Sequence, residues 1–429
     1  METPVNDAAM PTLSPTGAQA LYEEREKRNA LVIELKEPDR VPIAYSSAFW
    51  HARQAGITNR TAMYDYEALA AAVRRVVLEL QPDSVNSPFG SVALGPTLEI
   101  LDYKGYEWPG HGLPDDRPYQ YIDREYMRAD EYDYFIEDPS WFYLTRYLPR
   151  ATEAYAPLAR LPQFAGRTSV RIPFFSRYFG EPDVAAALAK IAEAGAEANK
   201  MLQRSAAFDQ ELRALGFPLS RHASCTAPYD YFGDFLRGSK GIMLDIFRRK
   251  EKLLEAMERV IPMLVRDAVQ MAAANGGKLV FIPLHWGIDG FMSVDQFKTF
   301  YWPQLRKVMM GLIDNGLVPL VFWEGKCDSR MDIIADIPRA KCIYYFESSD
   351  LFEAKAALGD VVCLRGGVPA TMLIAGTPQE IREHCRKLCE VVGKDGGFML
   401  DASSGIPEEA KAENVRAMFQ AVRDYGRYD

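Results

Sequence analysis

From residue 278 onward, short apolar runs alternate with amphipathic stretches. "KLVFIPLHW" reads as a strand and 293–314 as an amphipathic helix. "LVPLVFWEG" is a strand followed by a short helix near 329–337, and "CIYYFESS" is a strand followed by a helix at 350–358. "VVCLRGG" precedes a helix at 378–393, with Thr377 as N-cap and Pro378 in its first turn, and "GGFML" is the last strand. Pro407, with Glu408 and Glu409 behind it, opens the final helix. Continuous apolar runs joined by helices indicate buried parallel strands in βα units.

The front of the chain is less regular. "DSVNS" (83–87), "SVRIPFF" (169–175) and "FPLSRH" (217–222) bring the strands to eight, and "VPIAY" offers a further short one. Eight strands of this kind predict an α/β fold, a (β/α)8 TIM barrel. Residues 88–165 are dense in Tyr, Trp, Pro and Asp without periodicity, and read as a Tyr/Pro-rich insertion over the C-terminal face. The expected organisation is an N-terminal arm over 1–25 and one barrel domain over 26–429.

Charge and composition narrow the function classes. A net charge of −9 argues against a nucleic-acid or polybasic membrane-binding surface. No apolar stretch is long enough to span a bilayer, and the N-terminus lacks the basic and apolar regions of a signal peptide. The cysteines are scattered without a CxxC pair, as expected of reduced thiols in a cytoplasmic protein.

In a parallel barrel, chemistry collects where strands run into the following loops. Those positions hold His222, His285, Glu324, Glu347, Arg365 and Asp401, with Trp286 beside His285 and Cys327 after Glu324. His285 is a candidate acid/base or a backbone-bonded histidine; Glu324, Glu347 and Asp401 are candidate acids. Glu347 and Arg365 offer an alternative as a structural pair across adjacent strands. His285, Glu324 and Cys327 are the candidate metal ligands, although Glu-x-x-Cys is a weak pattern. His51 and Arg53 follow the possible first strand, and with His222, Trp286, Arg365 and Ser404 they form the substrate-binding set. Arg53 either binds a carboxylate or faces solvent.

"PDRVPIA", "RQAG" at 53–56, "LRGGVPATMLIAGTPQEIREHCRKL" and "GGFMLDASSGIPEEAKAENVRAM" resemble the uroporphyrinogen decarboxylase superfamily. The resemblance implies a TIM barrel. The superfamily also includes methyltransferases that move methyl groups to or from corrinoid proteins and thiols. Relative to the decarboxylase, Arg53 remains, but Ile57 replaces the second arginine flanking Gln-Ala-Gly, "SVNSPFGS" lacks the first-strand aspartate, and Ser404 occupies the histidine position. Relative to the thiol-methylating branch, Glu324, Lys326 and Ser404 stand where its zinc-binding His and two Cys would be.

These departures make the expected function methyl transfer from a small, aromatic or ether-type substrate to a separate corrinoid protein. No corrinoid is expected to be bound permanently, because no Asp-x-His-x-x-Gly motif surrounds any of the five histidines. Zinc remains a candidate through the three residues above, but the Cys/His zinc motif is absent. The alternatives are a decarboxylase or other lyase acting on a smaller carboxylated substrate, with Arg53 or Arg365 as clamp, and a non-catalytic ligand-binding barrel. A homodimer is compatible with all three.

Overall fold

The computed structural model describes residues 14–163 and 172–428. Eight parallel segments succeed one another: β1 (Ala44–Tyr45), β2 (Ser84–Val85), β3 (Ala223–Ser224), β4 (Leu279–Leu284), β5 (Val318–Trp323), β6 (Ile343–Phe346), β7 (Cys363–Val368) and β8 (Phe398–Ala402). Segments β3 to β8 form one parallel sheet in chain order, and β1 pairs in parallel with β2. Two isolated parallel bridges, Ile43 with Leu400 and Val85 with Leu219, connect these sheets at both edges. The pairing therefore runs round a barrel-like α/β ring.

The strand sequences explain the ring. Phe281, Leu320, Phe322, Ile343, Tyr345 and Met399 pack together on one side, while Val280, Ile282, Val321, Tyr344, Leu364 and Leu400 join the larger core on the other. A period of two with both faces apolar gives the continuous hydrophobic runs seen in the sequence. The helix Pro378–Lys387 begins as its sequence predicts, with reciprocal capping between Thr377 and Glu380. The helix Ala412–Tyr425 buries Val415, Met418, Phe419 and Val422, whose spacing places them on one face.

Several boundaries differ from expectation. A helix, Pro15–Ile33, occupies much of the expected arm, with Ser14 capping it through Gly17 N–H. Within "SVRIPFF", Ile172 starts a helix that runs to Phe179, and 169–171 lie outside the described residues. Its place in the ring is taken by β1, from "VPIAY", so an apolar run bounded by aromatic residues was the poorer strand signal. Pro407, Glu408 and Glu409 form a turn, and the final helix starts at Ala412.

Residues 88–163 contain short helices and a small sheet of Tyr106–Pro109, Gly112–Leu113 and Gln120–Tyr121. They pack on elements that follow the first and third strands. Tyr119 meets Phe49 edge-on at 5.9 Å, and Tyr126 and Met127 N–H both donate to Leu236 O. No helix among the described residues is long and apolar enough to cross a membrane.

Candidate active site

The period of two continues past the strand ends. His285 has the parity of Phe281, Glu324 that of Phe322, and Glu347 that of Tyr345, so all three belong to the inward face. The ladder continues with them: Glu324 N–H donates to Leu284 O at 3.3 Å and Glu347 N–H to Trp323 O at 3.1 Å. They stand one or two pleats above the side chains that fill the ring, at its C-terminal face.

The ring also encloses a cavity of about 280 Å³. Phe281, Phe322 and Tyr345 form its wall, Arg221 and Arg365 reach into it, and Tyr119 and Ser404 lie on its lining. Arg365 is buried and gives Asp401 two hydrogen bonds, at 2.7 and 3.0 Å. Burial raises the Asp401 carboxyl, opposed by the Arg365 charge and its hydrogen bonds. Tyr345 ties the last loop down, donating to Ala402 O at 2.5 Å and accepting from Gly405 N–H at 2.7 Å. Gly366, at φ +116°, leaves space for this ring: a Cβ there would lie 2.9 Å from Phe346 O and 3.3 Å from the Tyr345 ring.

Just past the end of β4, His285 is held between two carboxylates. Its Nδ1 lies 2.6 Å from Asp234 Oδ2, and its Nε2 lies 3.3 Å from Glu324 Oε1. Asp234 also accepts from Trp286 Nε1 at 2.7 Å. Asp230, fully buried one helical turn earlier, accepts from His285 N–H, Trp286 N–H and the Tyr301 hydroxyl. A glycine permits this approach, because a Cβ on Gly233 would fall 2.5 Å from Trp286 Nε1. Burial opposes charge on His285, but hydrogen bonds to Asp234 and Glu324 and attraction to both aspartates push its pKa up to about 11. Burial and the neighbouring Asp234 push Asp230 up to about 7, against His285 and Tyr301. The geometry is that of an imidazole oriented through Nδ1 by Asp234, with Nε2 within ion-pair distance of Glu324.

Several expected site residues lie elsewhere. His51 is a core histidine, fully buried with Nδ1 3.2 Å from the Tyr45 hydroxyl, and burial drives its pKa down to about 3. His222 precedes β3 at the foot of the ring, beside Gly277, and burial followed by Arg213 takes it down to about 4. Arg53 lines a separate hollow with Asp116 and Glu408. Glu347 does not pair with Arg365: it accepts from Gly325 N–H at 2.6 Å and faces a wider groove of about 750 Å³ that Ser404 also lines. Cys327 is buried, its Sγ 3.4 Å from Ser349 Oγ, and is not part of the His285–Glu324 group. Among the described residues no three His, Cys, Asp or Glu side chains come together to hold a metal ion. The expected zinc ligand set of His285, Glu324 and Cys327 is therefore not assembled among the described residues.

Asp230, Asp234 and Arg221 were missed by the sequence reading. The signal for the aspartates was present in "PYDYFGDF": two acids four apart, immediately after a strand. The expected strand at 217–222 hid it, because the third strand is Ala223–Ser224.

A sequence model described as Uroporphyrinogen decarboxylase (URO-D) matches residues 184–425, more than half of the chain. The chain belongs to the uroporphyrinogen decarboxylase family. Among curated members, the uroporphyrinogen decarboxylase of Pseudomonas fluorescens is 25% identical over 191 residues, covering 44% of this chain and 52% of the relative. That of Psychromonas ingrahamii is 27% identical over 163 residues, covering 37% and 45%. The chain thus spans about half the length of the curated relatives it matches. The fold is similar to that of a methyltransferase from Methanosarcina mazei, with a TM-score of 0.63, 15% identity, and coverage of 94% of this chain and 98% of that one.

Proposed function

We propose that this family member transfers a methyl group from a small ether-type substrate to a corrinoid carried by a separate protein. The observation that carries the reading is His285, held between Asp234 and Glu324 beyond the end of β4, in a ring whose interior contains a small aromatic-walled cavity. Breaking a methyl–oxygen bond leaves charge on the oxygen, and a positioned acid at that point lowers the barrier. The partner's reduced corrinoid supplies the nucleophile for the methyl carbon. His285 delivers the proton from Nε2, Asp234 keeps the ring oriented and charged, and Glu324 holds the proton until the substrate oxygen replaces it as acceptor.

The same reading takes the ring as a closed (β/α)8 barrel, with residues 88–163 of the expected 88–165 insertion over its C-terminal face and the last two outside the described residues. The edge bridges and the position of Tyr119 in the cavity support it. A cytoplasmic location fits the six free, buried cysteines.

Protein mixed with a reduced corrinoid and a methoxylated one-ring compound should change the corrinoid spectrum only when all three are present. Carbon dioxide release without that change would instead favour a decarboxylase-type lyase acting on a small carboxylic acid, the second reading, which Arg221 and Arg365 in the cavity support. Uroporphyrinogen itself should not be turned over. A cavity of about 280 Å³ lies below the roughly 300–1,000 Å³ that holds a drug-sized ligand, and Ile57 and Ser404 replace two of the decarboxylase's polar groups. A porphyrinogen assay resolved by chromatography checks this, and turnover at the rate of a family decarboxylase would reverse the ranking.

A further inference from the structure

We infer that Arg221 is the anchor for a carboxylate on the substrate, so that the cavity selects a compact, flat acid whose opposite end carries the reacting group beneath His285. This deepens the proposed function and rests on its placement of the substrate.

The two arginines of the cavity are in different states. Arg365 is satisfied by Asp401 through two hydrogen bonds. Arg221 has no such partner: among the described residues its recorded contacts are a hydrogen bond from Nη2 to Ser224 Oγ and its guanidinium 5.0 Å from the Phe281 ring centroid. Among the described residues no carboxylate lines the cavity, whose remaining polar groups are hydroxyls and an amide, including Ser46, Ser91 and Asn86. With Asp401 balancing Arg365, the cavity holds one uncompensated positive charge. Burial disfavours the charged form of Arg221, with only the Tyr119 hydroxyl acting to restore it. A guanidinium withdrawn from water without a counter-ion is costly, and its planar fork fits a carboxylate through two parallel hydrogen bonds.

Shape and level select the rest of the ligand. The Phe281 and Phe322 rings are stacked with centroids 6.1 Å apart, and Phe322 and Tyr345 are 4.6 Å apart, giving a flat aromatic wall. Arg221 precedes β3 and lies over Phe281 near the foot of the ring, whereas His285 stands beyond the end of β4. Four residues separate Phe281 from His285, roughly 13 Å of strand at about 3.3 Å per residue. That span accommodates one ring with a substituent at each end. The carboxylate points down to Arg221 and the ether up to His285.

The test is binding by the full chain, measured calorimetrically with no corrinoid present, using para-methoxybenzoate and its neutral isostere para-methoxybenzamide. Wild type should bind the acid at least about tenfold more tightly than the amide. Arg221→Met should weaken acid binding roughly 30-fold or more and amide binding much less. Arg221→Lys, which keeps the charge and guards against misfolding of the first variant, should recover part of the acid preference. Equal acid binding by wild type and Arg221→Met, or no preference for acid over amide in wild type, overturns the inference. Arg221-dependent binding without methyl transfer to a corrinoid would leave the inference standing and remove the functional reading alone.

Discussion

Replacing His285 with Gln should lower methyl transfer by about 10²- to 10⁴-fold, the range a positioned general acid supplies, while the protein keeps its fold. Glutamine retains a donor of similar reach but has no proton to give. The side chain is partly exposed at the rim of the ring, so its loss opens no cavity in the core. Asp234→Asn sharpens the test. It removes the nearest negative charge while leaving an acceptor for Trp286 Nε1, now 2.7 Å from the carboxylate. With the His285 pKa held up to about 11, the wild-type rate should stay flat through neutrality and fall only in strong alkali. In Asp234→Asn the falling limb should move down toward 6.5, the ordinary histidine value. The stability contribution has the same sign: raised in the folded state, His285 contributes fully below about pH 6.5, and the contribution is lost as pH rises through about 11. Partial exposure screens it, so the effect on melting temperature should be small. Rate–pH profiles of the three proteins decide the matter, and identical alkaline limbs in wild type and Asp234→Asn would show that Asp234 does not tune the acid.

The largest expected loss of stability lies at the foot of the ring. Asp83→Ala should cost about 3–5 kcal/mol, the range found when one partner of a buried charge pair is removed. Asp83 is fully buried and accepts from Arg28 Nη1 at 2.6 Å, from Arg40 Nη1 and Nη2 at 2.6 and 2.8 Å, and from Ile43 N–H at 2.8 Å. Its backbone carbonyl accepts from Asn29 Nδ2 at 2.9 Å. One carboxylate thus fastens the helix Pro15–Ile33 to both β1 and β2, which have only two residues each to hold them by backbone pairing. Removing it leaves the Arg28 guanidinium buried with only Asp39 and Glu24. Asp83→Asn, which keeps an acceptor and the volume, should lose less. Urea unfolding measures both, and a loss under about 1 kcal/mol for the alanine variant would mean that backbone pairing alone secures the first two strands.

How much of this was legible in advance follows from the range of the interactions involved. The rear half reads directly because its signals are local: β4 to β8 are continuous apolar runs, and Thr377 and Glu380 cap a helix through atoms three residues apart. The inward parity of His285 and Glu324 follows from the period of two, so their meeting at 3.3 Å was implied by strand identity alone. The front half was less legible. A strand two residues long, such as β1, has almost no pattern, and it exists because Pro42 and Tyr45 carbonyls meet neighbours brought by distant segments. The same limit applies to charge partners. Sequence offered Arg365 with Glu347, on adjacent strands, and the ring instead set Arg365 beside Asp401, because β7 is also adjacent to β8 and the Glu347 carboxylate is engaged by Gly325 N–H. Which histidine is an acid and which is core filler also depends on surroundings that no local pattern records. His51 and His285 each follow an apolar run, yet one is sealed against Tyr45 with its pKa driven down, while the other lies between carboxylates from a helix and a strand end that push its pKa up.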